Sequence, residues 1–504
     1  MSTDARKRFE VALILTLAWL ALLGTQLAQI FTTTEERLER FDRPALVATR
    51  MLERPLEVYA ALLNNPAARG LSGRGDGPLG LDAEALVGLP TQLVDAAEDV
   101  RSAANATRAG AAAGQPGDEA RERAAHLERE AAAIAAHAVV IADFVAAPDL
   151  DVDSLPTSSA DADSVETTVV DVRARAEALL ALDAELAAAT SALVERSRDP
   201  EADIAPEELP AELRGLPELL LLERTNDLVP SEDWAGTRAA LRAAPVMTLA
   251  ALGLGPALVG LFVLMFTRRF VRPHAPLGGR VPLVPGWIAF VAGQLGFGLV
   301  GSLVALVIHG LTGVSVLVAS VPIVIAALWS AGYVQGAPLA AALGAAGERL
   351  GVTGSWRSAP IAIAAGVCTL PLIALGPLVF ASLAGDSSSI WSNPYFDVVL
   401  EGGLPAWRKM ALEAGVWAPI FEEIAFRGVL FAALRSRLPF AQAALATSLA
   451  FAVAHPYDLV GALVVAWISL VMCWLYERTG SLVACMAAHS AYNLFQLSLM
   501  LTLL

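Results

Sequence analysis

Apolar residues form long unbroken blocks at both ends of the chain, with shorter stripes at helical spacing between residues 32 and 245. The first block, 9–31, is long enough to cross a bilayer as a helix and follows Arg6, Lys7 and Arg8, a basic cluster that places the N-terminus in the cytoplasm. It is longer than the core of a cleaved signal peptide and lacks a small-x-small cleavage site, so it reads as a retained anchor. A second block, 246–267, ends in RRFVRP, which puts the intervening polar stretch on the far side of the membrane. Seven further blocks, about 286–308, 314–334, 359–384, 406–434, 441–456, 459–476 and 480–503, raise the expected spans to about nine and leave the C-terminus outside. LRSRLP at 434–439 and Arg478 then face the cytoplasm, and the acidic DSSSIWSNPYFD at 386–397 lies outside; Arg408 and Lys409 run against the rule.

Within 32–245, Ala, Leu, Glu and Arg recur with helical period over about 35–65, 82–113, 117–147, 164–198 and 207–243. Breakers such as SGRGDGPLG and PDLDVDSLPTSSADADS separate these stretches. Four or five antiparallel helices would bury their apolar stripes. The expected architecture is all-α: a polytopic membrane protein with a soluble helical bundle inserted between its first and second spans. Its parts are a cytoplasmic tip and anchor (1–31), an extracytoplasmic helical domain (32–245), a second span with a basic cytoplasmic loop (246–280) and a membrane domain (281–504).

Composition supports this division. Of 504 residues 56% are hydrophobic, and the mean hydropathy is +0.56, well above a soluble average. Residues 32–245 carry 40 acidic side chains and 20 arginines, a balance of −20, against 11 acidic and 15 basic elsewhere, a balance of +4; together they give the net −16. So acidic a domain excludes nucleic acid as a partner. Only Lys7 and Lys409 of the 35 basic residues are lysine, a compositional bias that gives the arginines no functional weight. Cys368, Cys473 and Cys485 lie in apolar stretches and outline neither a disulfide framework nor a cysteine zinc site. The alternating Asp149, Asp151 and Asp153 hint at a calcium loop, but Ser154 and Ala160 stand where such a loop needs Gly and Glu, so this is an acidic linker. His126 and His137, eleven residues apart on one expected helix, have no ligand spacing and read as surface positions.

The expected span 406–434 breaks its own pattern at FEEIAFRGVLF, where Glu422, Glu423 and Arg427 fall within six residues. Ionised groups in a bilayer cost several kcal/mol unless they face a partner or a polar cavity. Glu423 and Arg427 stand i and i+4 in the favoured order for an ion pair. Glu422 is turned about 140° from Arg427 on an ideal helix, which leaves it free to act as a base on water. Two further spans carry pairs four residues apart: Phe451 with the polar His455, just before Pro456, and His489 with Asn493. His455 could orient or help deprotonate a water shared with Glu422, and His489 with Asn493 could stabilise an oxyanion. An isolated polar group such as His309 reads instead as a bond between helices.

EExxxR, FxxxH and HxxxN, in this order on membrane spans, resemble the type II CAAX prenyl endopeptidases, the Abi or CPBP family of intramembrane proteases, over roughly residues 280–504. The resemblance implies a protease in which Glu422 and His455 activate water, Glu423 and Arg427 support them, and His489 and Asn493 serve the oxyanion. No cofactor is demanded by these residues. Glu422, His455 and His489 could ligate zinc with an open position for water, whereas a metal-free glutamate mechanism uses the same side chains. The substrate would be a membrane-associated or lipid-modified protein or peptide, met in the bilayer, with an extracytoplasmic ligand for residues 32–245. The plain topology points to a bacterial inner (plasma) membrane. Two other functions fit the same residues: a non-catalytic membrane sensor or scaffold, and a proton-coupled transporter, although no internal repeat supports the latter.

Overall fold

The computed structural model describes residues 3–31, 33–38, 41–64, 86–112, 117–146, 162–199, 202, 204–226, 254–267, 281–307, 319–333, 359–384, 395–455 and 457–500. Every regular element among them is helical, so the fold is all-α. Asp149, Asp151 and Asp153, His309, the basic loop 268–280 and residues 386–394 of the acidic stretch 386–397 lie outside the described residues. The backbone gathers into two compact units. One comprises Met1–Thr32, Thr248–Ala384 and Leu404–Ser498; the other comprises Thr33–Met247, Gly385–Gly403 and Leu499–Leu504.

The acidic unit is built on the helix Gly117–Val145. Residues 131–145, AAAIAAHAVVIADFV, are all buried, as expected of a helix that is apolar on every side. The helices Pro44–Asn64, Leu89–Ala112, Ala162–Leu180, Ala184–Ser197 and Leu216–Asn226 surround it. Local chemistry divides two of the expected helices. The stretch 164–198 breaks where the Asp183 carboxylate accepts the Leu186 N–H at 3.1 Å and caps a new helix. The stretch 35–65 restarts at Pro44, in the first turn where a missing N–H costs nothing.

His137 corrects the surface reading: only 2% exposed, it lies in the core of this unit. Its Nδ1 meets Glu53 Oε1 at 2.5 Å and its Nε2 meets the Glu212 carbonyl at 2.5 Å. Two acceptors require two N–H groups, which the imidazolium alone provides. Glu53 also accepts the Leu216 N–H, and next to it Arg54 bonds Glu57, both buried. Gly215, at φ 128°, closes the cluster: a Cβ there would stand 3.0 Å from Glu57 Oε1.

In the membrane unit, Glu10–Ala28, Leu283–Gly301, Ala359–Pro377 and Leu459–Thr479 are long and apolar enough to cross a bilayer. Phe440–Val453 is apolar but shorter, and only 254–267 and 319–333 of two other expected spans are described. Ile14, Leu17 and Leu299 are 66%, 59% and 64% exposed, surfaces suited to hydrocarbon. The first helix joins the core of this unit. Trp19 stands edge-on to Trp287 and Phe290, and Trp287 Nε1–H donates to Thr16 Oγ1 at 2.7 Å. Small residues allow close approach, as in membrane helices generally: a Cβ on Gly366 would lie 2.2 Å from the Ala484 carbonyl oxygen.

Burial opposes the charge on His137, but the Glu53 carboxylate and its hydrogen bond outweigh burial and raise the group above the ordinary imidazole value. A raised value means stability that is complete below pH about 6.5 and is lost as pH rises through the folded value. Hydrogen exchange over 117–145 of the full chain, corrected for intrinsic rates, should therefore accelerate as pH rises above about 6.5. His137→Gln should flatten that dependence; an equal dependence in the variant would refute the assignment.

Candidate functional site

The run 413–435 is helical throughout but changes pitch. Glu413–Trp417 and Ile424–Phe431 are π-helical, while Ala418–Glu423 and Ala432–Arg435 are α-helical. π-helical segments within α-helices often mark functional positions. Glu423 and Arg427 point into the unit and are completely buried, with Arg427 Nη1 donating to Glu423 Oε1 at 3.0 Å. Arg427 Nη2 also donates to the Ser469 carbonyl at 3.4 Å, and its guanidinium carbon lies 4.5 Å from the Phe451 ring centroid. Phe451 stands edge-on to Phe426 with centroids 4.8 Å apart. The cation is thus held by a carboxylate, a carbonyl and an aromatic face.

The histidines arrive from two other elements. His489, on the helix Leu482–Met500, donates Nδ1–H to Glu423 Oε1 at 2.9 Å. His455 lies just beyond the helix Phe440–Val453 rather than on it, because the helix ends before Pro456. Its Nδ1–H donates to the Phe451 carbonyl at 2.7 Å, and Tyr457 stacks against it at 6.1 Å between centroids. With both Nδ1–H groups engaged by acceptors, the neutral rings carry their lone pairs on Nε2. Both lone pairs converge on Glu422 Oε2, His455 at 3.9 Å and His489 at 3.8 Å. Glu422 keeps 27% of its side chain exposed and His455 22%, against 7% for His489, so the convergence point opens outward from the buried pair.

The structure therefore brings Glu422, Glu423, Arg427, His455 and His489 into one cluster. Asn493 is engaged elsewhere: its Nδ2 donates to the Ala414 carbonyl at 2.7 Å. The sequence reading missed Phe426, Tyr457 and the carbonyls of Ala414 and Ser469. The aromatic pair could have been sought at positions beside the charged residues, but a backbone acceptor leaves no trace in residue identity.

Residues 405–495 match the family model described as Rce1-like type II CAAX prenyl endopeptidase. The chain carries a domain of that family. No curated protein and no solved structure matches the chain. The matched segment contains every residue of the cluster and runs through the π-helical turns. An Rce1-like domain together with helices apolar enough to span a bilayer makes this an integral membrane protein with a CAAX-type endopeptidase domain.

Two histidine Nε2 atoms and a carboxylate form a donor set typical of zinc hydrolases, and their Nδ1–H groups are anchored as such ligands require. Their spacing is somewhat wider than that of a closed zinc site. Ligand atoms about 2.0–2.1 Å from a tetrahedral zinc lie roughly 3.3 Å apart, closer than the 3.8 and 3.9 Å observed here. Among the described residues no group of three His, Cys, Asp or Glu is gathered to hold a metal ion. In length alone, separations of this size suit a water bridging either pair at about 2.8 Å from each atom.

Removing one partner from a buried ion pair leaves an uncompensated charge, at a cost of about 3–5 kcal/mol. Arg427→Met should lower the Tm of the detergent-solubilised full chain accordingly, and Glu423→Gln in the same chain should restore much of it. A single variant that melts like the wild type would show that the pair does not hold this unit together.

Proposed function

We propose that this protein is an intramembrane endopeptidase that hydrolyses a peptide bond of a membrane-embedded or lipid-modified peptide with a water activated by Glu422. The observation that carries the reading is the convergence of Glu422 Oε2 with two Nε2 lone pairs whose tautomers are fixed from behind. A water held there passes one proton to Glu422 while its oxygen attacks the scissile carbonyl carbon, forming a tetrahedral oxyanion. Collapse of that intermediate breaks the carbon–nitrogen bond as the proton moves on to the leaving amine.

The two imidazoles are unequal partners in this scheme. A proton taken up at His489 during the reaction would be balanced by the Glu423 carboxylate at the opposite nitrogen, as in a histidine backed by a carboxylate. A proton on His455 would have only the Phe451 carbonyl at its opposite nitrogen. His489 is thus the better carrier of a proton toward the oxyanion or leaving group, and His455 the better neutral acceptor for the water. No step is assigned to zinc.

Loss of a general base lowers rate by about 10²–10⁴-fold. In detergent, Glu422→Gln and His455→Ala should each abolish most cleavage of a farnesylated CAAX peptide, with and without chelator. Cleavage stopped by chelator in the wild type would replace this scheme with a metal one, and equal behaviour of all three proteins at the level of a protein-free control would leave a non-catalytic scaffold.

The same reading makes the unit spanning Thr33–Met247 an extracytoplasmic sensor or recruiter, with the N-terminus cytoplasmic by its basic cluster. A chain lacking residues 32–245 should retain Glu422-dependent cleavage but alter its preference among peptides. Unchanged preference and rate would remove that role.

A further inference from the structure

Pro419 introduces a defect into the helical run that carries Glu422. The Ala418 N–H bonds the Glu413 carbonyl, one residue farther back than an α-helix would place it. In that register the next bond would join the Ala414 carbonyl to the N–H of residue 419, and proline has none. An unpaired carbonyl in apolar surroundings costs about as much as a lost hydrogen bond, so Ala414 needs a donor from elsewhere. Asn493 supplies it at 2.7 Å. Only the NH₂ end of its amide can face a carbonyl, so the partner fixes the orientation of the side chain.

The neighbouring contacts are consistent with a built joint. A Cβ on Gly415 would lie 2.5 Å from Leu494 Cδ2, so the last helix packs closely against this turn. Trp407 Nε1–H donates to the Leu497 carbonyl at 2.6 Å on the same side of the joint. Four residues before Asn493, His489 holds Glu423. The helix Leu482–Met500 thus grips the catalytic run at residue 414 and at residue 423, on either side of Pro419, with Glu422 beside the second grip.

We infer that Asn493 is a positioning residue whose amide holds open the π turn created by Pro419 and thereby fixes the direction of Glu422 toward His455 and His489. The inference rests on the reading of Glu422 as general base. It adds a second role to the oxyanion contact expected for Asn493, because one N–H of the amide is committed to Ala414 and the NH₂ group has two.

The test compares Asn493→Ala with Asn493→Ala/Pro419→Ala in the full detergent-solubilised chain, using the farnesylated CAAX peptide as probe. A catalytic group displaced by about 1 Å can cost 10²-fold. Asn493→Ala should therefore lower kcat about 10²-fold with KM within about twofold. Alanine at 419 returns an N–H to the helix, and the double variant should regain at least about tenfold of the lost rate. An oxyanion donor could not be restored in this way, so a double variant no faster than Asn493→Ala overturns the proposal.

The same cycle read by Tm does not depend on catalysis. Asn493→Ala should lower Tm less than half as far in the Pro419→Ala background as in the wild type, and additive shifts overturn the proposal. If wild type and Glu422→Gln cleave the probe equally, the general-base reading fails and the Tm cycle alone decides the joint.

Discussion

A charge placed in the apolar interior of a membrane unit must be neutralised there, and the Glu423–Arg427 pair is where this chain meets that demand. Glu423 and Arg427 are both without exposed surface. Their attraction and the bonds to the Ser469 carbonyl and His489 make the arrangement tolerable in a low-dielectric setting. Around it the elements that matter are drawn together: Phe451 against the guanidinium, His489 against the carboxylate, and His455 through the Phe451 carbonyl. Glu422, next in sequence to Glu423, is carried to the open side of the same cluster.

The acidic unit uses the same chemistry to a different end. His137 also places Nδ1 on a buried carboxylate, Glu53, beside a buried arginine, Arg54. There the second nitrogen is closed by the Glu212 carbonyl. At His489 the second nitrogen is left facing Glu422. A carboxylate-backed histidine is therefore a structural cross-link when both nitrogens have acceptors and a candidate reactive group when one has none. The distinction lies in the far side of the ring rather than in the histidine or its anchor.

That distinction also separates what could be read along the chain from what could not. EExxxR, FxxxH and HxxxN were legible because charged and polar residues are costly in apolar spans and because four-residue spacing gathers them on a helix face. The helical acidic unit was legible from its period, and its extra breaks follow from Asp183 and Pro44. His137 was misassigned because its distance from His126 was weighed, while the apolar residues on every side of it, AIAAHAVVI, were the stronger signal of burial. Tautomers and backbone acceptors had no such signal. Which nitrogen of His455 is free depends on the Phe451 carbonyl, an atom present in every residue.

Asn493 shows the same limit in a sharper form. Its spacing from His489 places both on one face, but that spacing gives no sign that one N–H of the amide is committed to the Ala414 carbonyl. Pro419 changes the partner rather than the spacing: it removes an N–H and shifts the register to π, and a carbonyl five residues earlier needs a donor. Proline near a catalytic helix is therefore informative about residues on the facing helix, since the carbonyl it leaves unpaired must be met by a side chain that can reach it. In this chain that side chain is Asn493, and the turn it closes stands eight residues before Glu422.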